Sequence, residues 1–419
     1  LKSHLFPAHS TTAGALAATG FWEELLRRCA IRLAHRRGRL RTYAELVESG
    51  EMARMAAAYA DGTLRLQPPV RRAINRSGGR RKVLFLFRPA DEFLMRALNS
   101  VLQPMAAGLH SRLCHSFQPG RGVRTAYNQV MGSAGVEGAC CLRLDIRDYF
   151  NSVPPARMLE ALPAELRADP KLEGFLTHLL LDRRVLVEGA VVEDDHKGVM
   201  AGTPLAPLLA NLYLRSLDQE FEGASVGYVR YADDFLVTGA EADVLAARQT
   251  MEARLADLGL GLNLDKTRVV PAGQAWEFLG LQYHGGRLDL ATHTVRKMHR
   301  RVRRLARKAR SREDPAGYFV GSLNRRIYGI GGDPADFTWA TWFFPLLSGD
   351  TSLRGLDAVV QEQARFAITG RHEHGNRGAV PYAALRAAGY LPMVSAYHAY
   401  RRGGGRYAAR LEAAAEGRS

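Results

Sequence analysis

Cysteine is scarce: Cys29, Cys114, Cys140 and Cys141 are the four in 419 residues. That number and placement exclude a disulfide framework, and the adjacent Cys140 and Cys141 do not make the paired C-x-x-C spacing of a zinc site. The thiols are expected to be reduced and mostly buried, as in a cytoplasmic protein. Long apolar runs are missing too. No stretch approaches the roughly 18 uninterrupted apolar residues that span a bilayer, so no membrane partner is expected. No internal repeat is visible, which excludes fibrous and collagen-like architectures. What is present is a globular composition, 47% hydrophobic and 24% charged, in a chain long enough for about two or three domains or subdomains.

Acidic residues are thin at one end. The chain carries a net charge of +16, and residues 291–419 hold 22 Lys and Arg against 10 Asp and Glu, a net of +12. The densest run is 296–312, where ten of seventeen residues are Lys or Arg. Val302, Leu305, Ala306 and Ala309 recur there at helical spacing, giving a helix with one thin apolar stripe. A second basic stretch covers 27–41. Carboxylates that could neutralise the 296–312 run are nearly absent inside it, so its face is poised for an external polyanion. Nucleic acid fits best, because phosphate neutralisation releases counterions. A membrane surface fits less well, since the run lacks a bulky apolar face.

Residues 1–70 are rich in Ala, Leu and Arg without strand-like alternation, and read as helical. Turn signals at Gln67-Pro68-Pro69 and Ser77-Gly78-Gly79 mark a change of character. Strands are expected at 83–87, 139–146, 225–230, 235–238 and 278–283. Helices are expected at 91–102, 155–162, 204–221 and 242–258. This mixture indicates an α+β core, followed from 291 by basic helical sequence.

The chemistry concentrates in 226–237, where an apolar strand runs into Tyr231-Ala232-Asp233-Asp234 and a second apolar strand follows at once. That is a tight β-hairpin with two carboxylates at its tip. Adjacent Asp residues repel one another and are poor strand formers, so a cation should offset them. A third acid, Asp145, ends an apolar strand at 140–146. Three carboxylates brought together could hold two Mg²⁺ ions, which prefer hard oxygen ligands, with Mn²⁺ as a substitute. Two such ions suit in-line phosphoryl transfer. Asp148 is a less secure member. The pair His372 and His374 has no third ligand nearby and reads as a polar loop rather than a metal site.

These segments resemble the reverse transcriptase family. Leu144-Asp145-Ile146-Arg147-Asp148-Tyr149-Phe150 is similar to its first palm motif, and Tyr231-Ala232-Asp233-Asp234 to its metal-binding hairpin. Gly202-Thr203-Pro204-Leu205-Ala206-Pro207-Leu208-Leu209-Ala210-Asn211-Leu212-Tyr213-Leu214 resembles the G-S-P-L-S-P-L-L-A-N-L-Y-L block of bacterial and group II intron-like members. Leu264-Asp265-Lys266-Thr267 resembles the next palm motif, Phe278-Leu279-Gly280 the primer-grip hairpin, and Phe117-Gln118-Pro119-Gly120-Arg121-Gly122 a fingers element. All six fall in the family's order.

The resemblance implies a right-hand polymerase of α+β class: a helical N-terminal extension (1–70), fingers and palm with an antiparallel sheet (71–290), a basic thumb (291–345) and a helical C-terminal region (346–419). It implies an RNA-directed DNA polymerase, with an RNA template, a DNA or RNA primer and deoxynucleoside triphosphates as partners, and a dedicated non-coding RNA as the expected template. A maturase-like RNA-binding splicing partner is the competing reading. Asp145, Asp233 and Asp234 become the metal-binding catalytic acids, with the Ile146 carbonyl an extra oxygen. Arg80, Arg81, Lys82 and Arg88 become triphosphate contacts, with the choice between Arg81 and Lys82 left open. Phe150 becomes a gate against a ribose 2′-OH, Gly202 a point of close backbone approach to the nascent base pair with Pro204 starting the helix after it, and Lys266 a proton donor to pyrophosphate. Arg296, Lys297, Arg300, Arg303, Arg304, Arg307 and Lys308 become thumb contacts to nucleic acid. Tyr231 and Trp276 are expected to pack rather than react. One departure stands out: Met200-Ala201 precedes Gly202 where the family commonly has Gln before Gly. This version resembles orphan or defence-associated bacterial members, whose setting is a retroelement or antiphage defence.

Overall fold

Helix formers dominate the start of the chain, and the backbone follows them. α1 (Thr12–Leu16), α2 (Phe21–Arg32), α3 (Arg37–Glu48) and α4 (Glu51–Asp61) succeed one another. The computed structural model describes residues 11–32, 37–75, 81–133, 136–195, 198–330, 338–373 and 375–403. Strand structure begins with β1 (Val70–Asn75), antiparallel to β2 (Arg81–Leu86). Then come α5 (Pro89–Ala106) and α6 (Val123–Met131). Pro89 sits in the first turn of α5, where its missing N–H leaves no helical bond unmade. Tyr43 of α3 stacks on Phe93 of α5 with ring centroids 4.3 Å apart, tying the N-terminal helices to the body of the unit.

The central strand β3 (Cys140–Asp145) leads through short α7 (Tyr149–Ser152), α8 (Pro155–Glu160) and α9 (Ala164–Arg167) into α10 (Pro170–Leu181). Asp169 caps α10 through the amides of Lys171 and Leu172, and its other oxygen accepts from the Thr12 amide at 2.6 Å. A hairpin of β4 (Arg184–Val187) and β5 (Ala190–Glu193) follows, then α11 (Ala206–Tyr213), α12 (Arg215–Glu220), β6 (Gly227–Tyr231), β7 (Asp234–Gly239), α13 (Glu241–Asp257) and β8 (Arg268–Val270).

Two four-stranded sheets result, ordered β2-β1-β4-β5 and β6-β7-β3-β8. The second is the core. Leu142, Leu144, Phe235, Leu236 and Val237 are all buried, which is why β3 and β7 read as continuous apolar runs rather than alternating ones. α13 packs across β3 and β7.

The described chain divides into two compact units. One is built from residues up to Val136 and from Cys140 to Val269, the other from Glu137–Ala139 and from Val270 onward. The second contains β9 (Trp276–Phe278), β10 (Leu281–His284) and β11 (Arg287–Leu290), in the order β11-β10-β9. Its helices are α14 (Thr292–Ala309), α15 (Pro315–Tyr328), α16 (Trp339–Phe343), α17 (Thr351–Thr369), α18 (Asn376–Ala379), α19 (Tyr382–Ala387) and α20 (Met393–Arg401). α14 packs on α15 and α17. Buried Asp357 of α17 accepts from the Met393 and Val394 amides at 2.8 and 3.0 Å, holding the start of α20.

The structure departs from sequence expectation at several elements. The single strand expected at 278–283 is two strands, because Leu279 and Gly280 both take positive φ and reverse the chain. A Cβ on Gly280 would lie 3.0 Å from the Thr294 hydroxyl. The helix expected at 204–221 is broken at Leu214, and α11 starts at Ala206, so Pro207 rather than Pro204 occupies its first turn. β1, β4 and β5 escape periodicity altogether. β1 reads VRRAIN, and its residues 70–74 are exposed whichever way they point, so no buried face imposes alternation.

His115 joins the loop before α6 to that helix. Its ring nitrogens meet Thr125 Oγ1 at 2.8 Å and Gln129 Oε1 at 2.6 Å. Burial, against a smaller opposing effect of Gln129, pushes its pKa down to about 4. The folded ring is therefore neutral where the unfolded one, near 6.5, already binds a proton. Stability from this site is complete above that value and is lost as pH falls toward 4. We predict that the parent loses about 2 kcal/mol more than His115→Gln between pH 7 and pH 5, measured by urea unfolding at both values. Equal losses would contradict a buried neutral imidazole.

Candidate active site

β6 and β7 are joined by a loop of two residues, Ala232 and Asp233, with Tyr231 paired to Asp234 across it. β7 also pairs with β3, and there Asp145 lies directly opposite Asp234. Directly opposed residues point to one face of a sheet, so the strand acid and the hairpin acid share a face. Asp233 sits beside them in the loop, where its carbonyl accepts from the Ile146 amide at 3.3 Å. The three carboxylates nominated by sequence thus come from two separate segments to one end of one sheet.

Crowding shows in their acidity. Burial, then repulsion from Asp233 and Asp145, pushes Asp234 up to about 6. Burial and Asp145 likewise raise Asp233, with Lys266 and Lys82 acting in the opposite direction. Asp145 is buried and fully engaged: Lys266 Nζ lies 2.6 Å from its Oδ2, and Asn263 Nδ2 donates to Oδ1 at 2.8 Å. The Asn263 amide also donates to the Asp145 carbonyl. Hard oxygen donors crowded with excess negative charge fit a divalent cation by chemistry. Among the described residues, however, no three His, Cys, Asp or Glu side chains are posed to hold one ion together. Asp145 turns both oxygens toward Lys266 and Asn263. Asp148 is bonded instead by Asn151 Nδ2 at 3.2 Å.

The remaining nominated residues separate into groups. Lys82 is half-buried and its charge reaches Asp233, whereas Arg81 is exposed. Arg88 is bound to Asp91 at 2.9 Å and approaches Glu51 at 3.7 Å. Arg80 lies outside the described residues. Phe150 is half-buried with its ring edge-on to exposed Phe117, centroids 6.3 Å apart. Gly202 is exposed at φ +107°, and a Cβ there would lie 3.3 Å from the Phe85 carbonyl, so its immediate neighbour is β2. Met200 is wholly buried, and Ala201 is held by backbone bonds to β2 and to Asn151.

Tyr231 is half-buried, and Trp276 is buried and stacked on Tyr283 at 4.8 Å. His372 stacks on Phe366 at 4.2 Å, and His374 lies outside the described residues. On α14, Arg296, Lys297, Arg300, Arg303, Arg304, Arg307 and Lys308 are all exposed, while Met298, Val302, Ala306 and Ala309 are buried. Among the described residues no carboxylate forms an ion pair with that row; Lys308 lies over the Tyr318 ring at 5.9 Å.

Sequence reasoning missed the residues that hold the site together. Asn151 donates to the Val83 carbonyl and accepts from the Ala201 amide, linking β2, α7 and the 198–203 loop. Its position directly after Phe150 was the available signal. Asn263, Arg230 and Asp218 were missed as well. An Arg in an apolar strand immediately before Tyr231 is the kind of buried charge that demands a partner.

Residues 85–283 match the reverse transcriptase (RNA-dependent DNA polymerase) family. Residues 85–283 are therefore a reverse transcriptase domain, set in a chain of α+β architecture. An uncharacterized 91 kDa protein in the cob intron of Schizosaccharomyces pombe is 27% identical over 164 residues, which is 37% of this chain and 19% of that protein. Protein YkfC of Escherichia coli is 26% identical over 253 residues, 51% of this chain and 66% of its own length. The chain thus spans less than two thirds of either relative. Among solved structures, apo telomerase from Candida tropicalis aligns at 11% identity with a TM-score of 0.46, covering 77% of this chain and 63% of that one.

The raised pKa of Asp234 carries a stability consequence. Between its ordinary value and about 6 the folded carboxyl keeps a proton that the unfolded one has lost, so stability falls as pH rises through that window. We predict that Asp234→Asn, in a chelating buffer, exceeds the parent in unfolding free energy by about 2 kcal/mol at pH 8 and matches it near pH 4. A variant no more stable at pH 8 would refute the crowding.

Proposed function

We propose that this chain is an RNA-directed DNA polymerase that adds deoxynucleotides to a primer 3′ end, with Mg²⁺ as its ion and Mn²⁺ as a substitute. The observation that carries the reading is the opposition of Asp145 and Asp234 across β3 and β7, with Asp233 in the adjoining loop. Asp145, Asp233 and Asp234, with the Ile146 carbonyl, would hold the ions. Bound divalent ions supply activation of the attacking oxygen and stabilisation of the leaving one.

The chain's own groups do the remaining work. Lys82, whose charge already reaches Asp233, neutralises phosphate oxygens of an incoming triphosphate. The Phe150 ring, set edge-on to Phe117, closes the space beside the sugar and excludes a 2′-OH. Lys266 Nζ is held at Asp145. Released from that carboxylate, the same ammonium donates its proton to departing pyrophosphate. The exposed cations of α14 bind the phosphate backbone of template and primer. The proposed template is a bound non-coding RNA, in a bacterial retroelement or antiphage defence setting.

Primer extension with an RNA template, DNA primer, Mg²⁺ and deoxynucleotides tests the reading. Asp233→Ala with Asp234→Ala should abolish extension and keep RNA affinity; extension by that double variant would refute the site. Phe150→Ala should raise ribonucleotide incorporation at least about tenfold, roughly the loss of 1.4 kcal/mol of discrimination. Replacing Arg300, Arg303 and Arg307 by Gln should lower the slope of log affinity against log salt by roughly 2 to 3, given about 0.7–0.9 per phosphate contact. An unchanged slope would remove α14 from the interface.

One observation favours a second reading, an RNA-binding splicing partner of a group II intron: the S. pombe relative is a protein in the cob intron. Under that reading the Asp233 and Asp234 variants leave splicing intact and the parent extends no primer.

A further inference from the structure

Behind the acid-bearing loop lies a charge that sequence patterning would place in an apolar strand. Arg230 of β6 and Asp218 of α12 form an ion pair at 2.6 Å with both side chains fully buried. Every guanidinium N–H is used. Nε donates to Asp218 Oδ1 at 2.7 Å and Nη2 to Oδ2 at 2.6 Å. Nη2 also donates to the Asn211 carbonyl at 3.3 Å, and Nη1 donates to Asn211 Oδ1 and to the Ala232 carbonyl, both at 3.2 Å. Tyr228 adds its hydroxyl to Asp218 Oδ1 at 2.8 Å.

The other side of the Ala232 residue is held by the same network. The Ala232 amide donates to Ser116 Oγ at 2.8 Å. Ser116 Oγ in turn donates to Asn211 Oδ1 at 3.1 Å, and Asn211 Nδ2 donates to the Ser116 carbonyl at 2.7 Å. Ala232 itself sits at φ +59°, in the left-handed region that a residue with a Cβ avoids. Both of its backbone polar groups are therefore taken by a buried, fully bonded cluster reaching in from α11, α12 and the loop before α6. A buried ion pair contributes little stability relative to an apolar pair of the same volume. Geometry is what this one supplies, since a lysine has only three donors and no planar fork.

We infer that Arg230, Asp218, Asn211 and Ser116 form a brace that fixes the strained Ala232–Asp233 loop, making them positioning residues for the reaction of Asp145, Asp233 and Asp234. None of the four is a nominated metal ligand. The inference rests on the polymerase reading for its catalytic consequence, but its structural half stands by itself.

Hydrogen exchange and steady-state primer extension, both on the full chain, separate the two. In Arg230→Lys and in Ser116→Ala the Ala232 amide should exchange at least about tenfold faster, while the Leu236 and Val237 amides of β7 stay protected. Arg230→Lys should lose about a hundredfold or more in kcat with KM for the nucleotide within about threefold. Adding Ala232→Gly, which accepts the positive φ without strain, should recover about tenfold of that loss. Parental exchange at Ala232 in both variants, or parental kcat in Arg230→Lys, would overturn the brace. Should Arg230→Lys fail to fold, Ser116→Ala decides by the same exchange measurement and the same kcat. A parent inactive with every primer and template would sink the polymerase reading and leave the exchange result to judge the brace.

Discussion

Like charges set side by side on a β-ladder repel, and the β6-β7-β3-β8 sheet of this protein is organised around that cost. Asp145 and Asp234 are register partners and Asp233 adjoins them. Burial strengthens their repulsion by removing water. The surroundings answer with cations and donors drawn from elsewhere in the chain. Lys266 and Asn263 close on Asp145, while Lys82 and Lys266 together act on Asp233. A sheet end crowded with three carboxylates and attended by lysines has a standing affinity for positive charge, and that is the property a divalent-ion chemistry would use.

Backbone strain is concentrated in the same neighbourhood. Phe117, Asp148, Met200 and Ala232 are non-glycine residues at positive φ, and each lies in one of the segments singled out by sequence. Residues persist in such conformations only where their surroundings over-determine them. The bonds that do so are identifiable. Arg230 and Ser116 hold Ala232, Thr203 Oγ1 holds the Met200 carbonyl at 3.0 Å, and Asn151 ties Asp148 to β2. Gly198 completes the set: at φ +58° it passes so close to the Phe150 carbonyl that any Cβ would overlap it.

The candidate acids stand out in the sequence because their chemistry is written locally. An aromatic, a small residue and two acids between apolar runs dictate a loop tip, and a lone acid closing an apolar run dictates a strand end. The basic helix was legible for a similar reason, since a thin apolar stripe in a cationic run specifies both the helix and its exposed face. β1 carries tandem arginines and no buried face, so periodicity had nothing to report. Leu279 and Gly280 split one apolar run into two strands through backbone angles that hydropathy does not encode. Arg88 looked free beside β2 and is bound to Asp91, a buried acid one helical turn away.

Residue order alone thus determined which side chains carry charge, where the strands around the acids and the basic helix form, and that two acids lie at a hairpin tip and a third at a strand end. It did so because secondary-structure period and local turn chemistry act over a few residues. Tertiary structure alone decided that Lys266 and Asn263 close on Asp145 across some 120 positions, that the charge of Lys82 reaches Asp233, and that Arg230 divides its donors among Asp218, Asn211 and the Ala232 carbonyl. Those outcomes depend on through-space electrostatics and hydrogen-bond geometry between distant segments, and no local pattern in the chain records them.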